Sequence, residues 1–421
     1  MIDQIKKILC ELGISVYLIT EQNEESEELY FIKKRLDVKR SKSVYKCTLT
    51  VYNDHEKNGT LMRGSANVLL FDGMSALEMK KKISDGYFAA GCVDNPYYDL
   101  AAPEADNATN DVPDASLSFI AEGYASAIFK NETDALTFIN SAEIFAKKTK
   151  TRIVNSRGID VCFTPYRTDG EVVVASKDGE DVEMFDYFSL VGEKYDELAE
   201  RVEKDLREVK NRAKAKRELP SGKYDLIVEG VSVREMLGYY LWKANAANVY
   251  AKYSDAKPGD SFQSDAAITK LNVTAKATAP YSSEGIKMVD MPLVSDGKLA
   301  SYFGGARFSH YLGIKPTGEY VKLEMAAGNT ALEEMKTAGS LHVVYFSDFQ
   351  FDPLDGYFGG EIRLGYLCDE NGVKVITGGS VSGNIKDVCD TFEFSSETYE
   401  DFDYAGPLAL KMKNVTVSGT N

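Results

Sequence analysis

The sequence predicts an α+β protein of two domains, with an N-terminal mixed α/β domain over residues 1–217 and a C-terminal antiparallel, sheet-rich domain over 218–421. Three observations carry this reading. A chain of 421 residues is longer than one ordinary hydrophobic core organises. Helical and alternating hydrophobic patterns are interspersed in the first half. Beyond the segment KNRAKAKRELPSG, which closes on Pro220 and Gly222, the pattern changes to short alternating stretches punctuated by glycine. Apolar residues make up 44% of the chain and aromatic residues 11%, enough to fill two cores.

At the N-terminus, Ile2, Ile5, Ile8, Leu9 and Leu12 recur on one helical face, and Gly13 follows as a stop. The runs VYLIT, ELYFIKKRLDV, SVYKCTLTVY and ANVLLFD read as strands. Ser75 is placed to cap a helix that runs to about Ser84. Residues 101–116, rich in Pro, Asn, Asp and Ala, read as an exposed loop. The spacing of Leu136, Ile139, Ala142, Phe145 and Ala146 predicts a helix over 133–149, followed by the strand RIVNS. The strongest helical pattern covers 190–216, where Tyr195, Leu198, Val202, Leu206, Val209 and Ala213 recur every three to four residues among charges. In the second half YDLIVEG, VKLEMAAG, LHVVYF and LALKMKNVTVSG alternate as strands do, and one helix is expected near 232–248.

The formal net charge is -16. It argues against a general nucleic-acid binder, which needs a basic surface, and against docking on an anionic membrane. The first twenty residues are interrupted by charges, and no later run is long and apolar enough for a span, so a cytoplasmic protein is expected. The six cysteines (Cys10, Cys47, Cys92, Cys162, Cys368, Cys389) are scattered without a CxxC and read as reduced thiols. His55, His310 and His342 are the three histidines. None shares an i, i+4 pair, which argues against a multi-histidine metal site. The acidic residues isolate no catalytic pair and read as solvated surface. The glycine pairs at 304–305, 359–360 and 378–379 form no phosphate-binding loop and read as turns and bulges.

Several segments, taken in order, resemble the TldD/PmbA family, the group also described as modulators of DNA gyrase or microcin-maturation proteases. They are DNPYYDL at 94–100, IVNSRGI at 153–159, LPSGKYDLIV at 219–228 and YSSEGIKMVDMPLVSDGKL at 281–299. To these are added DPLDGYFGGEIRLGYLCDENGVK at 352–374, GGSVSGNIKDV at 378–388 and the closing NVTVSG. The resemblance covers most of 90–421 and is loose before that. Active members carry HExxxH on a helix where this chain reads GVSVREMLGYY at 230–240. Arg234, Glu235 and Tyr239 thus stand at the motif positions. Arginine has no lone pair to offer a metal, and tyrosine is a poor substitute for imidazole. Active members also supply a C-terminal cysteine ligand, which EDFDYAG at 400–406 lacks.

The resemblance therefore implies a PmbA (TldE)-like, non-catalytic subunit with no zinc of its own, the metal being expected only in an HExxxH-containing TldD-like partner. It implies a homodimer in isolation and a heteromer with that partner, enclosing a channel in which an unfolded peptide lies extended. Ser283, Glu284, Gly285, Gly359, Gly360, Ser382, Gly383 and Asn384 are the candidate channel residues on this reading. A stand-alone peptide- or protein-binding module, and an enzyme with an unrecognised site, are the alternatives.

Overall fold

The computed structural model describes residues 1–104 and 116–420. The expected loop at 101–116 lies largely outside the described residues. The N-terminal elements are α1 (Ile2–Glu11), β1 (Tyr17–Ile32), β2 (Arg35–Lys57), β3 (Thr60–Leu70), α2 (Ala76–Ala90), α3 (Leu117–Phe129), β4 (Thr137–Asn155), β5 (Asp160–Phe163), β6 (Tyr166–Ser176), β7 (Val182–Leu190) and α4 (Tyr195–Arg212). Among the described residues their strands form one seven-stranded sheet, ordered β3-β2-β1-β4-β6-β7 with β5 against β4, in which every pairing is antiparallel.

Alternation along β1 divides the sheet's two faces. Ile19 and Leu29 face the helices, whereas Thr20, Gln22 and Glu24 face the other way and line a cavity against the C-terminal domain. The apolar stripe of α1 (Ile2, Ile5, Ile8, Leu9) packs with Met79 and Ile83 of α2 on one end of this face. Helices α3 and α4 cover the other end. The cap at Ser75 is realised as a capping box: Ser75 Oγ accepts from the Glu78 N–H at 3.3 Å, and the Glu78 carboxylate accepts from the Ser75 N–H at 2.9 Å.

Two N-terminal expectations are corrected, and one element was not anticipated. The helix expected over 133–149 is the first part of β4. Its register shifts between Ile139 and Ser141, so the buried residues Ile139 and Ala142 stand three apart and imitate a helical repeat, whereas Ala142, Ile144 and Ala146 alternate as a strand requires. ELYFIKKRLDV is not one strand but the tip of a hairpin, turning at Lys33 (φ 53°) and Lys34 between the paired Ile32 and Arg35. Helix α3 has no counterpart in the sequence reading. It buries Ile120, Ala121, Tyr124, Ala125, Ala127 and Ile128 and carries only a narrow polar stripe of Ser118, Glu122 and Ser126, so its period is weakly marked.

The C-terminal elements are β8 (Gly222–Glu229), α5 (Val231–Ala244), α6 (Ala246–Tyr250), β9 (Val273–Lys276), β10 (Met291–Ser295), β11 (Lys298–Leu299), α7 (Ala306–Leu312), β12 (Lys322–Glu324), α8 (Leu332–Met335), β13 (Ser340–Phe351), β14 (Tyr357–Asp369), β15 (Gly372–Ile376), β16 (Ser380–Asn384), α9 (Ile385–Val388), β17 (Glu393–Phe394), β18 (Thr398–Asp401), β19 (Tyr404–Pro407) and β20 (Ala409–Ser418). One sheet runs β13-β8-β20-β16-β14-β15, with β17 against β20, and β13 pairs β14 as well. That pairing, from Leu341 opposite Leu367 to Phe351 opposite Phe358, closes the sheet into a barrel. A second sheet runs β11-β10-β9-β12-β19-β18. Helix α5 buries Val233, Met236, Leu237 and Tyr240 in the large core shared by the two sheets. The helix expected near 232–248 is interrupted at Asn245, whose side chain caps α6 by accepting from Ala247 N at 2.8 Å.

Helix α4 joins the domains. Leu198, Val202, Leu206 and Val209 enter the N-terminal core, and that cluster also takes in Leu364 of β14. Among the described residues no helix is long and apolar enough to cross a membrane. Replacing Ser75 by Ala is expected to lower stability by about 1 kcal/mol in urea unfolding, because the Glu78 amide loses its acceptor, while Ser75→Asp keeps most of it.

Candidate site at the domain junction

Not all the polar residues of α4 form a solvated face. Arg201, Lys204, Glu208 and Asn211 form a second stripe at helical spacing, directed at β7 and the barrel. Arg201 Nη2 donates to Asp186 Oδ1 of β7 at 2.6 Å, its Nε binds the other oxygen of the same carboxylate, and its Nη1 reaches Asp401 Oδ2 of β18 at 3.3 Å. The guanidinium also lies 5.0 Å from the Tyr399 ring centroid. Lys204 and His342 Nε2 both bind the carboxylate of Glu229, the last residue of β8. The His342 ring stacks on Tyr366 at 5.7 Å; Tyr366 donates to Glu208 and accepts from Asn211 Nδ2 at 2.7 Å. The expectation that the acidic residues are solvated surface is corrected here, since Glu208 and Glu229 are buried.

Burial disfavours an ionised Glu229, but His342 and Lys204 outweigh it and hold the carboxyl down at about 2. Asp205, the next residue on the helix, is driven the other way. Burial and the nearby Asp186 push its carboxyl well above the ordinary range, against Arg201 and Lys204, and its Oδ2 is enclosed without a partner. The Nδ1 of His342 is likewise buried and unpartnered.

These groups border a cleft of about 740 Å³ between the domains, lined by β7, α4, the β8–α5 connection, β13 and β18. Strand β7 is an edge of its sheet. Its outward backbone groups meet side chains, not another strand: Phe185 N donates to Tyr345 Oη at 3.4 Å, Ser189 N donates to Asp401 Oδ1 at 2.7 Å, and Arg201 donates to Tyr187 O. Phe185 and Tyr187 remain 47% and 58% exposed beside this edge.

Of the motif positions, Arg234 and Glu235 stand at this cleft. Arg234 Nη1 donates to Asp403 Oδ2 at 2.6 Å and its Nη2 to Glu235 Oε1 at 3.3 Å. Glu235 lines the cleft, its carboxyl raised by burial and by Asp348 and Asp403 against the pull of Arg234. Tyr239 is buried in the core beside Tyr240, Phe262 and Phe351, and burial pushes its hydroxyl up to about 12. These residues do not fit a zinc ion. Arg234 fills the ligand position with a protonated group, and among the described residues no three His, Cys, Asp or Glu side chains are grouped to hold a metal.

The eight candidate channel residues are dispersed. Ser283 lines a second cavity of about 1000 Å³ between the N-terminal sheet and the 277–283 loop. Glu284 accepts from Ala306 N at 2.6 Å, at the start of α7. Gly285 (φ 77°) lies so close to Ile159 that a Cβ would approach its methyl to 2.6 Å. Gly359 and Gly360 lie in β14 with β13 on one side and β16 on the other, so their backbones are already paired. A Cβ on Gly360 would meet the Phe346 ring at 2.7 Å, so this glycine lets a wall of the cleft close over β14. Ser382 and Gly383 are partners of Gly359 and Phe358 in the same ladder, and Asn384 caps α9. Strand β7 brings an edge to the cleft, as β18 does, and the sequence reading did not single it out. Its only signal was the alternation of VEMFDYFSL.

A barrel domain joined through one charged helix to an antiparallel sheet, with a cleft at the joint, defines a two-domain α+β fold. Residues 221–419 match the family model of the PmbA/TldA metallopeptidase C-terminal domain. The fold is that of TldE from Thermococcus kodakarensis (14% identity, 99% of this chain and 100% of that one, TM-score 0.78). It is also that of a candidate modulator of a DNA gyrase from Thermotoga maritima (14% identity, 99% of each chain, TM-score 0.79). A third structure, a candidate modulator of DNA gyrase from Bacteroides thetaiotaomicron, agrees at 15% identity over 99% of this chain and 98% of that one, TM-score 0.77. No curated protein matches the chain. The family match is thus to residues 221–419, and the whole chain shares the fold of these three structures.

The depressed Glu229 carboxyl stabilises the fold fully above its ordinary value of 4.5, and that contribution is lost as pH falls towards 2. Glu229→Gln is expected to cost about 3 kcal/mol at pH 7. The gap between wild-type and variant unfolding free energies should then narrow between pH 4.5 and 2, as read from urea titrations at each pH.

Proposed function

We propose that this protein is a non-catalytic, TldE/PmbA-like subunit of a peptide-processing metalloprotease. It holds an unfolded peptide in extended form while a TldD-like partner bearing HExxxH and its zinc performs the cleavage. The observation that carries this reading is the ion pair of Arg234 with Asp403. Hydrolysing an amide near neutral pH needs an activated water and a stabiliser for the oxyanion, both of which zinc supplies in such proteases. A guanidinium holds its own proton, accepts no further ligand bond and activates no water. Glu235, at the position of the general base, is left beside a fixed cation instead of a metal-bound water.

What supports a holding role is the cleft. An edge strand whose amides and carbonyls are met only by side chains can exchange them for the backbone of an extended peptide. Recognition by main-chain hydrogen bonds tolerates many sequences. Tyr345 and Asp401 are the acceptors that a peptide carbonyl would replace. On this reading the subunit works in the cytoplasm, as a homodimer in isolation and a heteromer with the partner.

Three reactions on an unfolded peptide test it: this protein alone, the HExxxH partner alone, and both together. Cleavage is expected only in the third. Elemental analysis of protein purified without a metal-affinity tag is expected to find no stoichiometric zinc. Cleavage by this protein alone that persists in Glu235→Ala and in chelator, or a partner fully active without it, overturns the proposal.

A further inference from the structure

Charge matching within the junction cleft leaves a remainder. Asp186 is satisfied by Arg201, Glu229 by Lys204 and His342, and Glu197 and Glu400 by Lys194. Both cations among the lining residues, Arg201 and Lys204, are consumed in these pairs. Among the described residues, three lining carboxylates, Glu200, Asp205 and Asp348, then have no cation paired with them, and a fourth, Glu235, has only a shared one. Asp205 and Glu235 lie deeper, with Glu235 sharing Arg234 with Asp403; Glu200 and Asp348 are exposed. Asp205 Oδ2 has no hydrogen-bond partner although it is enclosed. Facing them is an aromatic wall. Phe185 lies 5.4 Å from Tyr187 and 5.9 Å from Tyr345, and Phe346 lies 5.1 Å from Phe349.

Carboxylates short of positive charge, set against exposed ring faces, are the elements of an organic-cation site. A bare divalent ion is not what they suit, since no group of three ligating side chains is assembled among the described residues. Repulsion between Asp348 and Glu235, and between Asp186 and Asp205, adds to burial in raising the inner carboxyls. An incoming cation relieves that repulsion.

We infer that the cleft selects its peptides by positive charge, seating a lysine or arginine side chain between the aromatic wall and the carboxylates of Glu200, Asp205, Glu235 and Asp348. This rests on the reading that the cleft holds extended peptides, and adds to it which peptides are held. The main chain of such a peptide lies along β7, where side chains alternate in direction, so cationic residues at every second position suit the site.

The test uses the full chain and three labelled ten-residue peptides of one backbone, carrying two lysines, two glutamines or two glutamates at alternating positions. Fluorescence anisotropy is expected to give at least ten-fold tighter binding for the lysine peptide than for the glutamine one, with the glutamate peptide weakest. Glu200→Gln with Asp348→Asn, both exposed and tolerable to the fold, is expected to cut that preference several-fold. Asp265→Asn with Glu333→Gln removes the same charge far from the cleft and is expected to leave it unchanged. Equal affinity for all three peptides, or equal loss in both double variants, overturns the charge selection while leaving the holding role intact. If none of the peptides binds, the holding role itself fails. Spermidine that competes as well as the lysine peptide overturns the seating of a peptide side chain.

Discussion

The ionised carboxylate of Glu229 sits where the two domains meet, and burial there would expel it unless its charge were answered. Lys204 comes from the N-terminal domain's last helix and His342 from the barrel, so answering that charge requires both domains to be in place. Apolar contact alone could join α4 to β14 in several registers, since apolar packing is non-directional. A buried carboxylate with two partners admits one. The remaining junction contacts, Arg201 with Asp186 and Asp401, and Tyr366 with Glu208, lie one helical turn either side of this anchor and inherit its register.

The same anchor gives the cleft its shape. Glu229 ends β8, and Gly230 follows with φ 54°, which aims α5 and its Arg234 and Glu235 at the cleft. Arg234 holds a guanidinium fixed to α5 beside Glu235 and Asp403, while Glu200, Asp205 and Asp348 keep the rest of the cleft acidic.

How much of this was legible in the sequence differs from element to element. Helices α1 and α4 declared themselves because each has one apolar stripe, and Ser75 because its capping partner lies three residues away. β4 was obscured by a bulge that moved its burial phase by one residue, α3 by the narrowness of its polar stripe, and the β1–β2 hairpin by a turn built on Lys33 without glycine. At the site, Glu235 and Arg234 were reached through family resemblance, whereas the cluster around them was not. Glu229 and His342 are 113 residues apart, and Ser189 and Asp401 are 212. No local pattern encodes such a meeting. Their charges read as solvent-facing because burial by a second domain leaves no trace in helical periodicity.

Closure of the barrel bears on how the protein is made. β20, residues 409–418, lies between β8, which begins at Gly222, and β16, so the strand that starts the C-terminal domain waits for one that begins only at residue 409. The N-terminal sheet is built largely from successive hairpins and can form while the ribosome is still at work. The barrel cannot. Until residues 409–418 emerge, β8 carries an open edge with Leu226, Ile227 and Val228 beside it, and the nascent domain is open to pairing with the edge of another chain.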